Sequence, residues 1–154
     1  MAWKSTTPPW LALRGALAGL VAFAAVVVLV ALAVPPTGAG LRTVALVVLE
    51  AHATPGLDQI GDLEPLTWFA LPAATLYVLA PLALATAGLV AGRWTRSADI
   101  REGVRAGLPV ALGYVPAAVV TAALVGVSPA VPGGLALAAA LVFGVAGGVV
   151  GVRT

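Results

Sequence analysis

One stretch of the chain carries side chains that could do chemistry. "EAHATPGLDQIGDLEP", residues 50–65, holds the single histidine, His52, together with Glu50, Asp58, Asp62 and Glu64. An imidazole with two carboxylates is a donor set for zinc or a similar divalent ion. The spacing matches no recurrent ligand motif, and Glu50 and His52, two apart, would face different sides of a helix. The expectation is therefore a solvated loop with an interfacial histidine, and no metal. Cysteine is absent, which removes disulfides, thiolate metal sites and cysteine nucleophiles. No HExxH, phosphate loop, GxSxG or triad arrangement occurs. A non-enzymatic protein without a cofactor is expected.

The rest of the chain must position that segment, and its composition is extreme. Of 154 residues, 61% are hydrophobic and 9% charged, where an ordinary soluble domain carries about 25% charge. A soluble fold of this length could not hide so much apolar side chain. Lipid is the natural solvent, and the length suits one transmembrane domain. The net charge of +2 comes from a few arginines in short loops, which is no nucleic-acid footprint.

Four uncharged runs, 15–40, 65–92, 106–127 and 133–152, predict spanning helices at about 11–34, 65–92, 100–127 and 133–152. About 20 helical residues cross a hydrocarbon core of roughly 30 Å, and none of the runs alternates as a barrel strand does. The first helix should stop before Pro35-Pro36. Its length also argues against a cleaved signal peptide. The fold class expected is all-α, an integral membrane four-helix bundle. Between the first two spans lies an outer segment, 35–64, whose "LRTVALVVLEAHA" is too short to cross. It predicts an interfacial or re-entrant helix, with Thr43 and Glu50 on one polar stripe.

With four spans, Lys4, Arg14, Arg93, Arg96, Arg101, Arg105 and Arg153 share one side, and Arg42 stands alone on the other. That bias predicts a protein of the cell membrane with both termini cytoplasmic. In "RWTRSADIREGVR" the bland role of Arg93, Arg96, Arg101 and Arg105 is anchoring. The sharper one is contact with lipid headgroups or a partner. Asp99 and Glu102 have the spacing of a capping box at the start of the third helix. Trp3, Trp10 and Trp94 fit an aromatic belt on that side, and Trp68 one opposite.

No acid, Lys, Arg or His lies in the central part of any predicted span. Polar groups at depth reduce to Thr75, Tyr77, Tyr114 and Thr121, with Thr86, beside Pro72, Pro81, Pro109 and Pro116. These prolines predict kinks, with threonine hydroxyls on the freed carbonyls, or the lining of a cavity. Glycines four apart mark close helix packing: Gly15 and Gly19, Gly88 and Gly92, Gly103 and Gly107. The last helix is richest, with Gly144, Gly147, Gly148 and Gly151 as a packing face, either within the bundle or towards another copy.

The stretches "VVLEAHATPGLDQI", "FALPAATLYVLAPLALATAGLVAG" and "GVRAGLPVALGY" resemble a family of small haloarchaeal multi-pass membrane proteins over roughly residues 45–127. The marks that carry the resemblance are Ala51-His52, Ala106-Gly107 and Leu112-Gly113-Tyr114. It implies a helical archaeal membrane protein, transporter-like in some members, and carries over no catalytic residue. The function expected is that of a packing or accessory subunit, in a homo-oligomer or a larger membrane complex. The alternative is a transporter or channel component with a path along the second and third helices.

Overall fold

In lipid each backbone N–H must find a carbonyl without help from water, so apolar segments of this length fold as helices. The structure, a computed structural model, describes residues 9–34, 40–61, 72–95 and 99–152. The first span is α1 (Pro9–Ala33), followed by a short helix α2 (Leu41–Glu50). A 3-10 turn (Ala73–Val78) continues into α3 (Leu79–Arg93) as the second span. The third is α4 (Ile100–Gly107) with α5 (Val110–Leu124). The fourth is α6 (Ala130–Ala139), a π-helical turn (Ala140–Gly144) and α7 (Val145–Gly151). All four are long and apolar enough to cross a membrane. The protein is an all-α, multi-pass membrane bundle with a short extra helix between its first two spans.

Several boundaries differ from expectation. Pro72 caps the 3-10 turn instead of kinking a longer helix, and residues 65–71 lie outside the described residues. Pro81 falls in the first turn of α3, where a missing N–H is tolerated. Pro109 separates α4 from α5, and Pro116 lies inside α5. Helix α5 stops short of 127 because Gly126 takes φ +78. The Gly126 and Val127 N–H groups then close on the carbonyls of Ala123 and Ala122, a Schellman ending. The threonines do not serve proline-freed carbonyls. Thr75, Thr86 and Thr121 donate to Pro72, Leu82 and Ala117, 2.8 Å in each case and within one turn of their own helices.

Along the glycine seams, packing is small inside and large outside. Helix α1 buries Gly15, Gly19 and Ala22, and turns Leu13, Leu17, Val21 and Leu32 outward. Burial from water does not separate helix from lipid here, so close backbone approach must hold the spans together. Gly15 meets Pro109 and Gly19 meets Val110, while Gly88 meets Gly144 and Gly92 meets Gly148. Both members of each seam rise in step, so spans one and three run parallel, as do two and four. Gly103 and Gly107 face Gly148 and Gly144 in reverse order, so α4 and α7 are antiparallel. The start of α1, the end of α3, the start of α4 and the end of α7 therefore share one end of the bundle. There the Arg14 guanidinium lies 5.0 Å from the Trp10 ring and 5.9 Å from the Trp94 ring. Trp3 and Trp68 lie outside the described residues.

The seams set a sharp steric rule. A Cβ on Gly113 would fall within 3.0 Å of the Ala16 carbonyl, whereas one on Gly134 meets nothing within 4 Å. Gly113→Ala should cost about 1–3 kcal/mol through forced backbone shifts. Gly134→Ala should leave stability unchanged or raise it. Thermal unfolding of the two variants in detergent measures the contrast.

Candidate functional site

Helix α2 starts at the end of the bundle remote from Arg14 and descends between α1 and α5. Leu41 is exposed, while Val47, Val48 and Leu49 are fully buried. Ten helical residues carry it down about 15 Å. Its last turn arrives beside Phe23 and Tyr114. Phe23 is nine residues beyond Arg14, or about 14 Å along the helix. That is close to the middle of a core roughly 30 Å thick.

A helix that ends at this depth exposes four carbonyls for which lipid offers no partner. Each is covered by the segment that follows. The N–H of Ala51 donates to Val47 O and that of His52 to Leu49 O. The N–H of Ala53 donates to Glu50 O at 2.7 Å. The His52 Nδ1–H takes Val48 O at 2.7 Å, and the Thr54 hydroxyl takes Leu49 O at 2.8 Å. Ala53 reaches its position at φ +57, a left-handed conformation that costs a residue with a Cβ about 1–2 kcal/mol.

Two buried ionisable groups result. His52 is 7% exposed and Glu50 5%. Because Nδ1 donates to a carbonyl, the neutral ring presents Nε2 as an acceptor, and the Tyr114 hydroxyl donates to it at 2.8 Å. Tyr114 is fully buried, with Phe23 edge-on to its ring at 5.3 Å. The Glu50 carboxylate accepts the Tyr77 hydroxyl at 2.6 Å and the Ile60 N–H at 2.7 Å, as well as the Gln59 N–H. It ties the returning loop to the second span. Among the described residues, no buried side-chain N or O atom lacks a partner.

Beside this pair lies a cavity of about 340 Å³. His52, Ala53 and Tyr77 form one wall, Ala80 and Pro81 a second, and residues from Leu135 to Phe143 the third. The third wall includes part of the π-helical turn, a helix irregularity frequent at functional sites. Its lining is mainly apolar, with the imidazole and one phenol as polar points.

Several expectations are corrected by this geometry. His52 is neither solvated nor interfacial, because the chain turns inward after Glu50 and both ring nitrogens are engaged. Glu50 does not line a wet stripe with Thr43. It faces the interior and caps a loop. Among the described residues, no three His, Asp or Glu side chains lie close enough to share a metal ion, and Asp62 and Glu64 lie outside the described residues. Of the four polar residues considered for a cavity, Tyr77 lines it and Tyr114 reaches it through His52. Thr75 and Thr121 are not part of its lining. The walls are the outer segment with the second and fourth spans, not the second and third.

The other singled-out residues are placed as follows. Gly144, Gly147, Gly148 and Gly151 lie inside the bundle, against α3 and α4. Asp99 caps α4 by accepting the Arg101 N–H at 3.0 Å. Glu102 does not reach back to complete a box and pairs with Arg105 at 2.7 Å instead. Arg93 sits in the last turn of α3, and Arg96 lies outside the described residues. Sequence reasoning missed the pairing of Glu50 with Tyr77 and of His52 with Tyr114. A signal was available: two ionisable residues, Glu50 and His52, close an apolar helix just before Thr54-Pro55-Gly56. Ala51-His52 and Leu112-Gly113-Tyr114, far apart in the chain, meet at this hydrogen bond.

One measurement tests the site. Tyr114→Phe keeps the ring contacts but strips His52 Nε2 of its donor, and should lower unfolding free energy by about 1–3 kcal/mol. No protein-family model, curated protein or solved structure matches the chain.

Proposed function

We propose that the protein is a transport component of the cell membrane, with its arginine-rich end in the cytoplasm. The cavity beside His52 and Tyr77 would be its binding site. One observation carries this reading: Glu50 and His52 are buried near mid-depth on a re-entrant segment, and His52 lines a cavity. Ionisable groups at such depth are expensive and mark pathways in membrane proteins. Half-helices that end inside the bundle recur in carriers for the same reason. The mainly apolar lining fits a small apolar molecule with one hydrogen-bond donor, which the Tyr77 hydroxyl oxygen would accept. Gly144, Gly147, Gly148 and Gly151, the packing face expected of an accessory subunit, are covered by α3 and α4. The seven-to-one distribution of Lys and Arg supports the orientation.

The absence of native cysteine makes the test direct. Ala139 lines the cavity and Val28 faces outward. In oriented vesicles, a membrane-impermeant maleimide should label Ala139→Cys when applied from either side in turn, and should spare Val28→Cys. Labelling from neither side would mean a dry bundle. Labelling from one side alone would mean a static pocket. Either result rejects transport.

A further inference from the structure

A second hollow, of about 550 Å³, runs between α1 and α3 on the outward face. Leu17 and Leu29 mark its ends on α1, Leu79 and Trp94 its ends on α3, and Ala22 and Ala83 help form its floor. Its one hydroxyl, on Thr86, is turned back onto the Leu82 carbonyl. Between its ends the hollow offers no free hydrogen-bond donor. From Leu17 to Leu29 is about 18 Å of helix, and one leaflet's share of the hydrocarbon core is roughly 15 Å. The groove is thus as long as a single acyl chain.

Its mouth is charged. Arg14 lies one turn before Leu17, exposed. Its guanidinium rests over the Trp10 and Trp94 rings at 5.0 and 5.9 Å. Contact with two indoles restricts where the guanidinium can lie. Among the described residues, Arg14 has no carboxylate partner. A fixed guanidinium at headgroup level presents paired N–H donors to a phosphate. A second copy of this chain is the poorer occupant. Two copies in one orientation would pair about an axis along the membrane normal, bringing both Arg14 side chains to the same depth near it.

We propose that this groove holds one acyl chain of an anionic phospholipid from the leaflet on the arginine side, with Arg14 bound to its phosphate. The site is separate from the cavity beside His52 and does not depend on a transport role. Native mass spectrometry of the detergent-purified chain with equal phosphatidylglycerol and phosphatidylcholine tests it. The wild type should retain phosphatidylglycerol about five-fold over phosphatidylcholine, the worth of one cation at the membrane surface. Arg14→Gln should abolish the preference, and Arg42→Gln, the same charge change at the opposite end, should keep it. Ala83→Phe should reduce retention of both lipids by filling the floor. The proposal is overturned by equal retention in the wild type, by a preference that survives Arg14→Gln, or by Ala83→Phe retaining lipid like the wild type. It is equally overturned if the purified chain is a lipid-free dimer.

Discussion

The structure turns on how α2 ends. A helix that stops inside a bilayer leaves carbonyls that lipid cannot satisfy, each at a cost of several kcal/mol if orphaned. Four residues beyond Glu50 cover every one of them, two through side chains. That requirement explains why His52 and Thr54 stand where they do, and why Ala53 accepts a left-handed backbone. It also explains the need for Tyr114, because a histidine used as a cap through Nδ1 still has a second nitrogen to satisfy. The polar site is first a solution to a backbone problem, and its chemistry is available because the solution brought ionisable groups inward.

The seams make that solution reachable. Gly113 lets α5 lie directly on α1 at Ala16, and the next residue, Tyr114, then points into the space that α2 fills. Had Gly113 carried a side chain, the parallel pair would open and the phenol would retreat from His52. On the opposite pair, the glycines of α7 bring it against α3. The π-helical turn lies just before them, beside the cavity. Packing by small residues and a site built from large polar ones are two parts of one arrangement.

Much of the bundle was legible in the sequence. Uncharged runs locate spans because lipid penalises charge wherever it lies, so the count of four needs no knowledge of partners. Asp99 could be read as a cap because capping is local. Helix breaks were read less well, since Pro72 and Pro109 mark ends while Pro116 is absorbed within α5, and local sequence does not separate the cases. The site was least legible. His52 looked like a loop residue because its partner lies far along the chain, and Glu50 because its donors come from a loop and from another span. A rule based on polarity alone places both in water. The accounting that places them inside concerns backbone carbonyls, which every residue carries and which no composition statistic records.

The hydrogen bond from Tyr114 to His52 joins residues 62 positions apart, and this has a consequence for biogenesis. A ribosome delivers the amino-terminal part of a chain first. When α1 is already in the bilayer, the helix that holds Tyr114 has yet to emerge. Until it does, the imidazole has nothing but water to saturate its second nitrogen, and so has reason to stay at the aqueous boundary. The partner that lets His52 lie inside the bundle thus comes from the third span, so the second helix can rest between its neighbours with no bare imidazole nitrogen only once that span is in place.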